Sequence, residues 1–329
     1  RYNNKHILEE ELTFFKDMGG RLSTHSSLLF SRTGNDEVKF GATFKGPRTQ
    51  VRKTVGLRPN ALLLSAAAAA GIECVQPVFS FFQNDMTYCV ANAFEQEQPI
   101  LLDQFKNKTP FSKHLTSLIK YADFGISDVK SVPANIPSNI WHQFKEQMKT
   151  QIGADEGKLK EAFNIKNATQ LQFTHTGEDS SSAGFGLDNE SRGTVAALSF
   201  FSLALRQLSR PTVTLIDEID TSLHPTLVAE LVALYTDPAT NPHGSQLIFT
   251  THDVSLINQS GSSNRLLQPD QIWLVEKDKD GASELFPVTE LGIRKEENIG
   301  KNYLNGVYGA TPNPSFHTVF AQIMNGDDD

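Results

Sequence analysis

Short apolar runs alternate with stretches of helical character along the second half of the chain. The predicted strands cover residues 213–216, 247–250 and 272–275, and the predicted helices cover residues 194–208, 225–235 and 254–258. Apolar strands that alternate with helices are typical of a parallel sheet covered on both faces. The pattern therefore predicts an α/β fold for this part of the chain.

The first 58 residues have a different pattern, in which apolar runs are joined by turn-forming residues. Residues 28–31 and 38–44 are apolar or alternating, and residues 33–36, Thr-Gly-Asn-Asp, separate them. Because glycine and asparagine tolerate the positive φ of tight turns, this segment is predicted to be an antiparallel hairpin, and taken alone an ordinary surface one. A Leu- and Ala-rich run at 60–71 then predicts a helix that ends at Gly71.

The middle of the chain is more polar and has helical character. Thr109 and Pro110 give a start signal for a helix at 113–122, and residues 140–152 are amphipathic. Residues 131–138, which include two prolines, are predicted to form a loop. This block contains no catalytic constellation and is interpreted as a helical arm or lid, with a plain packing layer as an equal alternative.

A polar strand is predicted at residues 170–174 and a Gly/Ser-rich loop at 177–186. We therefore expect three parts in the chain. They are an antiparallel β part at 1–58, a helical insertion at 59–168 and an α/β lobe at 169–329.

Composition and charge exclude several classes of protein. The 329 residues carry 38 acidic and 30 basic side chains, which gives a net charge of −8. The chain therefore lacks the overall basic excess of a nucleic-acid coat protein. A local basic groove is still compatible with this net charge. Its two cysteines form neither a disulfide framework nor a Cys-x-x-Cys pair. The longest apolar-looking stretch, residues 62–75, is too short and too polar to span a bilayer. With no secretory signal, we expect a cytoplasmic protein without membrane association.

Two adjacent carboxylates, Asp217 and Glu218, follow the predicted strand at 213–216. The carboxyl end of a buried parallel strand faces the ligand crevice of an open α/β sheet. An aspartate there can hold Mg²⁺, and a following glutamate can orient or deprotonate an attacking water. Carboxylates also occur at strand ends because the chain enters solvent there, so this segment alone leaves both interpretations open.

His252 follows the next predicted strand, at 247–250. A histidine at a neighbouring strand end can reach a γ-phosphate or an attacking water, although a single histidine in such a position is more often structural.

Ser191 and Gly193 lie where a loop enters the long apolar helix predicted at 194–208. A helix N-terminus has free N–H groups and a partial positive charge, so these residues can bind a phosphate. The alternative is structural, with Ser191 or Thr194 as an N-cap and Gly193 as a turn residue.

Taken together, in this order and spacing, these segments resemble ATP-binding-cassette (ABC) ATPases of the SMC, RecF and RecN branch. Ser191 and Gly193 match the Ser-x-Gly of the signature motif, and Asp217 and Glu218 match the Walker B pair. Residues 219–225, with Ser222 and His224, resemble the D-loop, and His252 matches the switch histidine. The resemblance is closest to bacterial abortive-infection and phage-resistance ATPases related to the overcoming-lysogenization-defect (OLD) family. Other segments that look typical of this group are 190–194, 222–225 and 301–310, with 28–32 and 122–126 as weaker ones.

The resemblance implies a RecA-like P-loop ATPase head that binds ATP and Mg²⁺, hydrolyses ATP to ADP and phosphate, and forms a homodimer around two nucleotides. Glu218 would be the general base, Asp217 would hold Mg²⁺ through water, and His252 would sense the γ-phosphate. Ser191 and Gly193 would contact the γ-phosphate held by the opposite subunit. The signature departs from the common Leu-Ser-Gly-Gly-Gln form at its first, third and fifth positions.

The resemblance also implies a role in anti-phage defence together with a separately encoded effector protein. DNA binding stays open, and the net acidic charge favours a protein partner.

The phosphate-binding motif Gly-x-x-x-x-Gly-Lys-Ser/Thr is absent from the sequence. Neither the Gly157-Lys158 pair nor the Gly300-Lys301 pair has the required neighbours. In the resembling family this loop lies near the N-terminus, and the sequence begins at Arg1. We therefore expect that the Walker A segment lies upstream and that this chain alone is inactive as an ATPase.

Two alternative functions remain. One is a scaffold that responds to nucleotide without hydrolysing it. The helical middle block and the net acidic charge favour this alternative. The other is an OLD-type nuclease with a metal-binding Toprim domain, which would begin near Asp278 and Asp280. Too few residues follow Asp280 for an added domain of ~100 residues, and Asp280-Gly281 is better interpreted as the turn of a hairpin between 272–276 and 284–288.

Overall fold

The structure is a computed structural model that describes residues 1–3, 5–34, 37–90, 94–122, 124–134, 169–177, 182–258, 265–294, 296–312 and 315–325. It divides into two compact units, residues 1–87 and 88–329, and the division falls within the strand Met86–Cys89. The expected division into three parts stays a prediction. The predicted helix at 140–152 lies outside the described residues.

The first unit contains an antiparallel sheet of β1 (Glu9–Asp17), β2 (Leu22–Thr33) and β3 (Glu37–Phe40), in that order. The pairing of β2 with β3 confirms the predicted hairpin, with Phe30 opposite Phe40 and Thr33 opposite Glu37. Gly34 follows β2 with φ 60°, a left-handed conformation that glycine adopts without steric strain.

The described residues of the first unit also form the α-helices α1 (Arg48–Leu57), α2 (Leu63–Ala69) and α3 (Gln76–Ser80). The last of these continues into a π-helical turn at Phe81–Asp85. The carboxylate of Glu10 accepts hydrogen bonds from the backbone N–H groups of Leu63 and Leu64 and so satisfies the start of α2. Apolar side chains from β2, α1 and α2 form one core, which includes Phe30, Phe44, Val51, Val55 and Leu63.

The predicted parallel sheet is present in a smaller form. β4 (Met86–Cys89), β8 (Val213–Ile216) and β9 (Gln246–Phe249) form three adjacent strands in the order β4–β8–β9. β8 and β9 are parallel, with Val213 opposite Gln246 and Ile216 opposite Phe249. The mixed α/β class with a parallel sheet is therefore confirmed.

An antiparallel sheet of β5 (Ile126–Pro133), β6 (Thr169–Thr176) and β7 (Ser182–Gly186) accompanies it. This sheet corrects two predictions. Residues 131–133, expected in a loop, end β5, because a proline at the end of a strand leaves the ladder intact. Residues 182–186, expected in a Gly/Ser-rich loop, form β7, where Gly184 leaves space for the side chain of Gln172 on β6.

The helices of the second unit pack mainly around α6 (Arg192–Gln207). α4 (Phe94–Lys106), α5 (Pro110–Tyr121) and α7 (Pro225–Thr236) all contact α6. Buried residues of α6, among them Leu198 and Leu203, join those of β6 and β8 in one core. α5 begins at Pro110 with Thr109 as its N-cap, as the start signal predicts.

A further antiparallel hairpin lies near the end of the chain. β10 (Trp273–Lys277) pairs with β11 (Ser283–Pro287), and Gly281 in the turn has φ 83°. The predicted turn at Asp280-Gly281 is confirmed, whereas the expectation that residues 272–275 join the parallel sheet is wrong for the described strands. The short helices α8 (Ile299–Leu304) and α9 (Phe316–Asn325) follow. None of the helices in the described ranges combines the length and apolar character needed to cross a bilayer.

Candidate functional site

Asp217 and Glu218 lie at the carboxyl end of β8 and are joined to the end of β9 by one threonine. Thr250 Oγ1 donates to Asp217 Oδ1 at 2.6 Å, and it accepts from the backbone N–H of Glu218 at 2.8 Å. The parallel register of β8 and β9 brings these residues together, because both strands end at the same edge of the sheet. Both carboxylates are exposed, so this edge presents two acidic groups to solvent.

The backbone of Glu218 adopts a left-handed conformation with φ 53°. Such a conformation is unfavourable for a residue with a Cβ, and it is held here by the bond to Thr250. The side chain accepts from Thr221 Oγ1 at 3.4 Å, which leaves most of its hydrogen-bonding capacity available.

The turn after Glu218 is fixed to the segment after β9. Asp220 Oδ1 accepts from Thr251 Oγ1 at 2.6 Å and from the backbone N–H of His252 at 3.2 Å. The His252 side chain is exposed, and its ring has no hydrogen-bond partner among the described residues. The structure thus places His252 at the same sheet edge as the two carboxylates.

Ser191 and Gly193 lie at the start of α6, where they were predicted. Ser191 is the N-cap, since its Oγ accepts from the backbone N–H of Thr194 at 3.0 Å, and it also contacts the hydroxyl of Thr194. Gly193 lies within the helix, not in a turn. A Cβ on Gly193 would lie 2.8 Å from the carbonyl oxygen of Ser222. The candidate signature motif and the candidate D-loop are therefore in contact within one chain.

Ser222 and His224 occupy the turn that leads into α7. Ser222 has φ 65°, a second left-handed residue within five positions of Glu218. His224 is the N-cap of α7, because its Nδ1 accepts from the backbone N–H of Thr226 at 3.2 Å. Both side chains are exposed, and the structure gives His224 a capping role.

Sequence reasoning missed a side-chain hydrogen bond that supports the start of α6. His175 on β6 contacts Glu190 through Nε2 and Oε1 at 2.8 Å, and the Glu190 side chain is only 5% exposed. The His175 ring also packs edge-on against Phe185 of β7. Glu190 directly precedes the Ser191 cap, so the antiparallel sheet is joined to the candidate signature motif. No local sequence pattern pairs residues from two separate elements in this way.

Thr250 and Thr251 were also missed as site residues. The signal was present in the sequence, because two hydroxyl side chains directly follow the apolar strand β9 at the end where β8 delivers its carboxylates.

A buried polar cluster lies behind this edge of the sheet. The backbone N–H of Asp217 donates to the carbonyl of Cys89 on β4 at 3.0 Å. Burial raises the pKa of the Cys89 thiol to about 11, and the nearby Glu97 carboxylate adds to this effect while Arg206 opposes it. Glu97 in turn binds Ser202 and Arg206 of α6. These hydrogen bonds join α4 to α6 and β4 to the end of β8 that carries Asp217.

The donor atoms at Asp217 are compatible with Mg²⁺. Mg²⁺ prefers oxygen ligands and is often held by one or two carboxylates together with waters and nucleotide phosphates. Asp217 and Thr250 supply a carboxylate and a hydroxyl. Within the described ranges, no three His, Cys, Asp or Glu side chains converge on a metal position, so a site formed by protein side chains alone is not found there.

Residues 99–258 match a family model described as an AAA domain, putative AbiEii toxin, of a type IV toxin–antitoxin system. This segment is similar to an AAA-type ATPase domain. The match runs from α4 to the residues that follow β9 and includes every candidate site residue of the second unit. It supports a P-loop ATPase relationship connected with abortive infection. A search of curated proteins finds no match.

Proposed function

We propose that this chain carries the catalytic and signature segments of an ABC-type ATPase head. The observation that supports the proposal best is the edge formed by β8 and β9. There Thr250 bonds to the Asp217 carboxylate and to the backbone of Glu218, and Asp220 accepts from the backbone N–H of His252. Phosphoryl transfer depends on positioned groups and on stabilisation of charge, and this edge supplies carboxylates and an imidazole on rigid backbone.

Glu218 is the proposed general base for the water that attacks the γ-phosphate. Its exposed carboxylate can accept a proton from water, and the bond from its backbone N–H to Thr250 holds the residue at this edge of the sheet. His252 is the proposed contact to the γ-phosphate, because its ring is free to donate at the same edge.

Asp217 is the proposed residue that holds Mg²⁺, with the Thr250 hydroxyl beside it. The ion, when bound, would neutralise charge on the nucleotide phosphates. The bond from Thr250 keeps one Asp217 oxygen oriented and leaves the second for a water of the ion.

Ser191 and Gly193 are proposed to bind the γ-phosphate on an opposite subunit in a homodimer. The helix start at Ser191 is exposed, and a helix N-terminus favours an anion. Ser222 and His224 belong to the turn in contact with Gly193. We therefore propose that this turn couples the two nucleotide sites of the dimer, so that binding of a nucleotide at one site affects the other.

The biological role that we propose is phage defence, in which the ATPase controls a separately encoded protein partner. The description of the matched family, which names a toxin–antitoxin system, supports a two-component arrangement.

The test is ATP turnover by the full-length product of the reading frame, with Glu218→Gln compared with Glu230→Gln. Glu230 is an exposed glutamate on α7 and serves as a matched control. Loss of a general base lowers kcat by about 10²–10⁴-fold, so we expect a loss of this order in Glu218→Gln with ATP binding retained. Unchanged turnover in Glu218→Gln, or equal losses in both variants, would contradict the assignment.

A further inference from the structure

The helix α9 presents a continuous apolar stripe to solvent. Its five large apolar side chains are spaced i, i+3, i+4, i+7 and i+8, which places them on one face. All are exposed, from 49% for Val319 to 74% for Phe316, and no residue of the helix is buried. The stripe consists of Phe316, Val319, Phe320, Ile323 and Met324.

This helix requires a partner surface to be stable. It spans 10 residues, and isolated helices shorter than about 12–15 residues are marginal in water. The helix contains no Asp, Glu, Lys or Arg, so charge pairs between its side chains do not stabilise it either. Its stability therefore has to come from burial of the stripe.

A second uncovered apolar surface lies on the hairpin of β10 and β11. Residues alternate between the two faces of a hairpin, and Leu274 and Phe286 contact the core beneath it. The opposite face carries Trp273, Val275 and Leu285, which are 53–61% exposed, with Val275 directly opposite Leu285. We call this the outer hairpin face.

The stripe and the outer hairpin face do not cover each other within one chain. Phe320 and Leu285 are each 61% exposed, and so neither surface is shielded by its own copy.

We propose that the occupant of the outer hairpin face is α9 of a second copy of this chain. Each copy supplies one stripe and one hairpin face, so a two-fold arrangement covers both pairs of surfaces at once. The eight side chains are 49–74% exposed, so the two contacts together would bury on the order of 1,000 Å² or more, comparable with the ~1,200–2,000 Å² of standard protein interfaces.

The charges of the two surfaces allow this pairing. Lys277 is the only charged residue on the outer hairpin face, and it lies at the end nearest the turn. Since α9 has no charged side chain, the contact leaves no like charges in opposition. The net charge of −8 opposes self-association at low salt, so we expect the dimer to persist or strengthen as salt rises.

This interface is independent of nucleotide, and its test needs none. The measurement is the molar mass of this chain in solution by light scattering over a concentration series, without ATP. We expect a dimer for the wild type, and a monomer for Phe320→Asp in the stripe and for Val275→Lys in the outer hairpin face. Gln322→Asp, a substitution on the polar side of α9, is the matched control and should leave the dimer intact.

Mixing the two monomeric variants tests whether the stripe of one copy binds the outer hairpin face of another. Val275→Lys retains an intact stripe, and Phe320→Asp retains an intact hairpin face, so an equimolar mixture should recover a weaker heterodimer through one contact. A Val275→Lys variant that remains dimeric would indicate pairing between helices and overturn the proposal. A wild type that is monomeric throughout, or a mixture that fails to associate, would overturn it as well.

Discussion

Gly193 and Ser222 approach so closely that no side chain fits between them. A Cβ on Gly193 would lie 2.8 Å from the carbonyl oxygen of Ser222, and this oxygen belongs to backbone that is held in a left-handed turn. The glycine of the candidate signature motif thus has a packing role in its own chain, in addition to any contact with phosphate.

Gly193→Ala is expected to lower the free energy of unfolding. Alanine is favoured over glycine inside a helix by up to ~1 kcal/mol, so propensity alone predicts stabilisation. Because the added methyl group would meet a backbone carbonyl and not the end of a flexible side chain, overpacking of about 1–3 kcal/mol should dominate. Urea unfolding of the chain, followed by circular dichroism, measures the change in the free energy of unfolding.

Gly186→Ala is the control for this prediction. Gly186 is the last residue of β7, shortly before α6, and has φ −76°. A Cβ there would meet nothing within 4 Å. We expect this variant to be as stable as the wild type or slightly more stable. Equal stability of Gly193→Ala and the wild type would show that Ser222 can move.

The regular elements could be predicted from the sequence where one local pattern decides them. Val213–Ile216 is a run of strand-forming residues between polar neighbours, and Thr109-Pro110 is a strong N-terminal signal for a helix, so both elements are found where they were predicted. Residues 131–133 were mispredicted because proline is common in loops and also at strand ends, and only the pairing with β6 decides between the two.

The candidate site could be predicted in part for the same reason. Asp217, Glu218 and His252 follow apolar strands, and strand ends on one edge are implied by a parallel sheet. The connections between them were not predictable, because Thr250 joins residues that are far apart in the sequence and this depends on the register of β8 and β9. The contact of His175 with Glu190 likewise depends on where β6 lies.

Loss of the His175 ring is expected to destabilise the start of α6. Glu190 is a nearly buried carboxylate, and His175→Ala would leave it without this partner at a cost of about 1–3 kcal/mol. Glutamine can donate a hydrogen bond from a similar position, so His175→Gln should recover part of the loss. Thermal or urea unfolding gives both values.

A double substitution separates this pair from its surroundings. Glu190→Gln replaces the nearly buried carboxylate by an amide, so we expect the further effect of His175→Ala to be smaller than in the wild type. His243→Ala, at an exposed position, controls for the loss of a histidine as such. If the effects of His175→Ala and Glu190→Gln simply add, the two side chains do not stabilise each other.

Because the thiol of Cys89 is buried, we expect the protein to lose stability in alkaline solution. Burial, with a smaller contribution from Glu97, raises its pKa from 9.0 to about 11. Between these values the unfolded chain releases the thiol proton and the folded chain keeps it, so the free energy of unfolding falls as pH rises through this window. We expect the wild type to lose about 1–2 kcal/mol relative to Cys89→Ala between pH 9 and pH 11.

Urea unfolding at a series of pH values measures this loss. Cys74→Ala, at the half-buried cysteine, is the control and should follow the wild type. Parallel pH profiles for Cys89→Ala and the wild type would mean that the thiol ionises equally in both states.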